Sequence, residues 1–393
     1  MSEHTWRPLL VGDHAIEARA LVEDIATALV TRSPSDQPVF KGDAATALLL
    51  GELGADGIES RLEHALAIAT SAPLTIALIG GVAGMSWLLD HVAAGPELDA
   101  LLEHFDAALL RHIDVSRWTD RKDLVSGLAG VGVMLAQRGD ERARRIAERV
   151  LSHFEATAIA STSGVTWRTE PRFLPEAQRA VFPDGMIDLG VAHGVPGVIG
   201  MLVQFVEAAI EPERSRALLE LAIAWLLDAV PDGRPRFGTS WPVDYKTRRI
   251  GWCYGDTGVA AVLLRASQVI GSAQLANTAL ELLRQAIPIL DARGAPDASL
   301  CHGAAGLAHA YNLAFQHTHD DEMREQALKW LHEVLRMRAP GRGIAGYQSI
   351  KVDGPGRRLE DDVTLLTGVV GTALVLLAAT SEHEPAWQRL FVM

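Results

Sequence analysis

One short pattern recurs through the chain and limits what it can fold into: a Gly-x-x-Gly step that opens into an apolar run. It reads GVAGMSWLL at Gly81, GLAGVGVML at Gly127, GVPGVIGML at Gly194, GDTGVAAVLL at Gly255, GAAGLAHAY at Gly303 and GVVGTALVLL at Gly368. A degenerate seventh copy, GDAATALLL, begins at Gly42 with Ala45 in place of the second glycine. Start-to-start spacings are 39, 46, 67, 61, 48 and 65 residues, and the shorter ones fit one helical hairpin per repeat.

Between these copies lie segments of helical period with a charged face. In residues 97–113 the apolar positions are Leu98, Leu101, Leu102, Phe105, Leu109 and Leu110, one stripe of an amphipathic helix. Residues 140–158, 213–230, 272–290 and 321–337 read the same way. An amphipathic outer helix therefore alternates with a nearly all-apolar inner helix. The expected fold is all-α: a single domain over 1–393 in which about seven inner and seven outer helices form an α/α toroid. An open solenoid would need polar caps, and none is evident. Glycine at each helix start allows close backbone approach and unusual turns. The starts would gather at one end, near the positive ends of the helix dipoles. Residues 161–188 carry three prolines and no clear period, the mark of an irregular or small extended insert. Residues 231–250 and 339–362 look similar.

Composition removes some function classes. Lys and Arg total 36 against 49 Asp and Glu, a net charge of −13, which argues against a nucleic-acid surface. Residues 64–89 and 363–381 lack Asp, Glu, Lys and Arg, but glycine, proline and threonine interrupt them, so buried helices rather than membrane spans are expected. The first twenty residues show no secretory signal. With only two cysteines, reduced thiols in the cytoplasm are expected.

Four repeat junctions carry reactive side chains. Cys253 precedes Gly255 by two residues; Cys301 and His302 lead into Gly303; His193 directly precedes Gly194; Asp123 stands four before Gly127. Two thiolates and an imidazole suit zinc, and three protein ligands leave a fourth position open, as in catalytic sites. Two buried core thiols, or a Cys-His nucleophilic dyad, are the competing readings. His193 also reads as a capping or core histidine, Asp123 and Asp256 as helix-start acids, Arg249 as a surface charge, and Trp252 and Tyr254 as core or cavity-wall aromatics. His309, seven residues after His302, reads as packing or as a support behind the ligand set.

Taken together, GWCYGDTG, CHGAAG, AHGVPG, DLVSGLAG and the segment TWRTEP at Thr166 to Pro171 resemble the lanthionine synthetase C-like (LanC) cyclase family, over most of the chain from about Gly42 to Gly371. The resemblance implies an α/α toroid with Zn²⁺ held by Cys253, Cys301 and His302. It implies a catalytic His193 with Asp123 as carboxylate partner, and assisting roles for Arg249 and Tyr254. The implied reaction joins a peptide cysteine to dehydroalanine or dehydrobutyrine. The implied partners are a dehydrated precursor peptide, a separate dehydratase and an export or maturation complex, the last being the one route to the membrane. A relative that binds glutathione or thiol peptides, or adds glutathione to dehydrated residues, and a non-catalytic helical scaffold are the alternatives. A helical-toroid glycosidase would need a carboxylate pair and leave the Cys-Cys-His set unexplained.

Overall fold

The computed structural model describes residues 6–71, 75–93, 96–230, 236–242, 250–353 and 356–393. Each Gly-started run is a helix that begins one residue after its first glycine. Among the described residues these are Asp43–Leu53, Val82–Val92, Leu128–Arg138, Val195–Glu207, Asp256–Ile270, Ala304–Thr318 and Val369–Thr380. Their side chains are buried nearly all round, which explains runs with no polar face. The degenerate copy at Gly42 is a full member of the set.

Amphipathic helices alternate with them. In Glu141–Thr157 the buried positions include Ala143, Ile146, Ala147, Val150, Leu151 and Phe154, the stripe expected at 3.6 residues per turn. Asp140 caps this helix, accepting from the N–H groups of Arg142 and Ala143 at 2.9 and 3.0 Å. Asp320 does the same for Asp321–Arg336. Such a cap stabilises a helix by about 1 kcal/mol.

The chain divides into two compact units. One comprises Leu74–Gln285 and Gln388–Met393. In it Val82–Val92, Leu128–Arg138, Val195–Glu207 and Asp256–Ile270 pack in chain order, each on the next. Pro96–Ile113, Glu141–Thr157 and Pro212–Ala229 cover the first three. The other unit comprises Met1–Pro73 and Ala286–Trp387, where Val369–Thr380 packs against both Ala304–Thr318 and Asp43–Leu53. Asp321–Arg336, Gly12–Thr31 and Ile58–Ser71 supply its amphipathic layer.

The turns before the buried helices share one construction, and it explains the glycines. The residue six before the first glycine turns its carbonyl onto the first turn of the helix. Val82, Leu128, Ala304 and Val369 donate their N–H groups to the carbonyls of Thr75, Arg121, Asp297 and Asp362 at 2.8–3.1 Å. A Cβ on Gly81, Gly127, Gly194, Gly303 or Gly368 would collide with that same carbonyl. The second glycine is placed likewise: a Cβ on Gly130, Gly197, Gly258, Gly306 or Gly371 would strike the carbonyl of Leu124, Val191, Trp252, Leu300 or Leu365. Close approach, more than unusual torsion, demands the motif. Five of the first glycines have extended backbone, and only Gly255, at φ 97°, occupies the region that favours glycine.

Successive turns are also joined to one another. In the first unit Ile79 N–H donates to the Val125 carbonyl at 3.0 Å, Val125 N–H to Ala192 at 3.2 Å and Ala192 N–H to Cys253 at 3.4 Å. In the second, Cys301 N–H donates to Leu366 at 2.8 Å and Leu365 N–H to Phe40 at 3.0 Å. Each of these residues lies two or three positions before its glycine, so the ladder holds equivalent positions of neighbouring repeats side by side.

The expected insert is irregular and partly extended. Ile159–Ala160 pairs with Val165–Thr166, a short helix covers Glu176–Val181, and Ile187–Asp188 pairs with Ser240–Trp241. The stretch 339–362 holds a hairpin of Ser349–Asp353 and Gly356–Glu360. No helix among the described residues is long and apolar enough to cross a membrane.

Candidate metal and proton-transfer site

The ladder that joins the turns also assembles the reactive side chains. Because Val125 donates to Ala192, the turn carrying Asp123 lies beside the turn carrying His193. Asp123 is buried, and its Oδ1 accepts the Ser126 N–H at 2.7 Å while facing His193 Nδ1 at 3.1 Å. The carboxylate thus fixes the imidazole from a turn that is itself fixed.

One rung further, Ala192 donates to Cys253 and brings Tyr254 over Gly190, where a Cβ would strike the phenol ring. The Tyr254 hydroxyl donates to Asp188 Oδ2 at 2.9 Å, and Asp188 Oδ1 accepts the Gly190 N–H at 2.7 Å. The rings of His193 and Tyr254 stand 6.4 Å apart. Trp252 is buried, and its indole donates to the Phe391 carbonyl at 2.9 Å.

These contacts set the charges. Burial pushes the Asp188 carboxyl up to about 6, against the opposing pull of the Gly190 N–H, the His193 charge and the Tyr254 hydroxyl. For His193 burial favours the neutral ring, but the hydrogen bond and charge of Asp123, joined by the charges of Asp188 and Cys253, outweigh it. Its pKa therefore lies above the ordinary histidine value. An imidazole held so, next to a buried carboxylate, can exchange protons near neutral pH.

Cys253 is buried, Cys301 and His302 are half-buried, and neither cysteine is in a disulfide. Each of the three offers one ligand atom, a sulfur from either cysteine and a ring nitrogen from the histidine. An ion bonded at about 2.0–2.3 Å would draw such donors together, and two thiols with one imidazole are a zinc-type donor set that leaves a fourth position open. The group could hold a metal ion.

A small pocket opens beside the His193–Asp123 pair. Its walls include Lys122, Trp167, Arg168 and Glu170, so the TWRTEP segment of the insert forms one side. Arg249 lies outside the described residues. His309 is buried against Trp387, ring centroids 4.8 Å apart. Asp188 is the site residue that sequence reasoning missed. It sits at the end of the irregular insert, and its one signal is position: it stands six before Gly194, as Asp297 and Asp362 stand six before Gly303 and Gly368.

The sequence profile of "Lanthionine synthetase C-like protein" matches residues 21–392. No curated protein matches the chain by sequence. Among solved structures the chain is similar to one titled "Nisin cyclase", with TM-score 0.71 and 16% identity, over 95% of this chain and 96% of that one. At that identity the likeness is one of fold, and the fold class is the all-α helical toroid expected from the repeats.

Proposed function

The chain belongs to the lanthionine synthetase C-like family, and from that premise we propose that it is a zinc-dependent lanthipeptide cyclase. In this reading it adds peptide cysteine thiols to dehydroalanine or dehydrobutyrine of the same peptide, forming lanthionine and methyllanthionine thioethers. The observation that carries the proposal is the Cys253, Cys301 and His302 donor set. A zinc ion held there would lower the pKa of the incoming thiol and fix its sulfur in place.

The remaining work falls to the chain. As sulfur bonds to the β-carbon, the double-bond electrons move toward the α-carbon and its carbonyl. His193 delivers a proton to the α-carbon, and Asp123 holds the ring in the orientation that lets it do so. Asp188 accepts from Tyr254 and fixes the phenol beside His193. Arg249 or Tyr254 is the proposed partner for the carbonyl oxygen. The thiol proton lost before addition balances the proton gained after it, so the peptide keeps its mass. A separate dehydratase must act first, because the acceptor is a dehydrated residue.

The test joins metal analysis to thiol counting. Purified protein is expected to carry about one zinc per chain. A dehydrated peptide should lose alkylatable thiols only when enzyme is present. Cys301→Ala should lose metal and cyclisation together. His193→Asn should keep zinc while slowing thiol loss on the order of 10²-fold or more. Metal-free protein with full activity defeats the zinc assignment. Addition of external glutathione without ring formation favours a glutathione-transferring relative, and a metal-free, inert protein favours the scaffold.

A further inference from the structure

Next to the pocket that holds Asp123 and His193 lies a second one, of about 340 Å³. Its walls include Arg117, Lys122, Arg168, Arg172 and Glu170. Four cations and one carboxylate give 4 − 1 = +3 on a chain whose total is −13. Lys122, Arg168 and Glu170 line both pockets, so the two share a wall. None of the four cations forms an ion pair with another described residue.

This concentration of charge is built, not scattered. Arg117 and Lys122 come from the turn before Leu128–Arg138, and Arg168 and Arg172 come from the insert. The Arg172 guanidinium donates to the Thr119 carbonyl and lies 4.7 Å over the Phe173 ring, with Arg121 at 4.8 Å on the same ring. Gly185, at φ 83°, leaves room for the Arg168 stem: a Cβ there would come within 3.2 Å of its Cγ and Cδ. Lys122 is partly buried. Burial, then Arg117 and Arg172, push its pKa below the ordinary lysine value, with Glu170 opposing. Arg117 and Arg172 thus disfavour the charge on Lys122, and an anion entering the pocket would offset them.

We propose that this pocket is a carboxylate subsite that takes an Asp or Glu side chain of the peptide substrate as the neighbouring residues enter the His193 pocket. The proposal rests on the cyclase reading only in taking the substrate to be a peptide. A guanidinium fork matches a planar carboxylate, and the net negative charge of the chain disfavours a long polyanion. The subsite selects peptides with an acidic residue at a fixed distance from the reacting pair, and so orders which position is presented first.

The test measures binding, so it stays readable even if cyclisation fails. Fluorescently labelled peptides carry Ser in place of the dehydrated residue and Ala in place of Cys, with one Glu walked through successive positions and a Gln twin for each. At low salt, at least one Glu peptide should bind about tenfold tighter than its twin, and added salt should erase the gain. Arg117→Gln and Arg168→Gln, both at exposed positions that leave the core intact, should each remove most of it. Equal binding of Glu and Gln peptides at every position overturns the proposal. So does a Glu preference that survives both substitutions, which would place the carboxylate elsewhere. Inorganic phosphate that displaces peptide where acetate does not, with no Glu preference, would reassign the pocket to phosphate. Thiol loss without any Glu preference would leave the cyclase standing and this subsite refuted.

Discussion

His193 owes its proton affinity to neighbours brought in from other turns, and this has a measurable sign. Asp123, Asp188 and Cys253 all favour the imidazolium, and together they outweigh burial. If the imidazolium protonates the α-carbon, thiol loss should persist above the ordinary histidine range and fall as pH rises through the raised pKa. Asp123→Asn removes the largest of the raising influences, so the falling limb should move to lower pH. Asp188→Asn should move it the same way by less. The rate of thiol loss against pH in the three proteins checks this, and a limb that stays put in Asp123→Asn disconnects His193 from the step. Asp123 and His193 were legible through the resemblance of DLVSGLAG and AHGVPG to the family's motifs; by position alone each also reads as a residue of a helix start. Asp188 was not legible: it lies where the periodicity fails, and its contact with Tyr254 joins residues 66 apart in sequence.

At the scale of the element, the Gly-x-x-Gly start was readable as a helix entry, and close backbone approach was the right reason for it. What the pattern did not show is that both glycines meet carbonyls of their own preceding turn. Gly306→Ala would drive a methyl into the Leu300 carbonyl, one residue before Cys301. The turn must move, and with it Cys301 and His302, the pair proposed to bind metal. A loss of about 1–3 kcal/mol is expected, along with weaker zinc retention. Gly132→Ala is the control. Its nearest atoms are the Met201 thioether and the Phe205 ring edge, and the flexible Met side chain can give way, so its cost should be smaller. Denaturant melts with metal analysis decide the matter; equal losses in the two variants would refute the carbonyl-contact account. The amphipathic helices were plainer still, because a stripe at 3.6-residue spacing has one good burial solution. Even Pro288, in the expected segment 272–290, lies inside the observed helix Ala273–Arg293.

Over the whole molecule, net charge and repeat count were legible, while the placement of charge was not. A total of −13 hides a cluster of cations drawn from two distant stretches, and it hides carboxyls whose burial reverses the usual effect of acid. Asp256 is fully buried at the start of its helix, where it accepts the Phe237 and Arg236 N–H groups at 2.8 and 3.1 Å. Burial nonetheless pushes it up to about 6, as it does Asp188. In the unfolded chain both titrate near the ordinary value of about 3.9. Between these limits the folded state binds more protons, so the contribution of these groups to stability grows as pH falls from about 7 toward about 5. His193, also raised, acts in the same direction. Asp140 and Asp362 are lowered, and their contribution is lost only as pH falls through the ordinary carboxylate range and below it. Thermal melts of metal-free protein between pH 5 and pH 8 should therefore show an acid-side gain that an Asp188→Asn, Asp256→Asn double variant lacks. Using metal-free protein keeps proton-linked metal release out of the comparison. Parallel pH profiles for the two proteins would mean that these carboxyls titrate normally in the fold and are not desolvated by it.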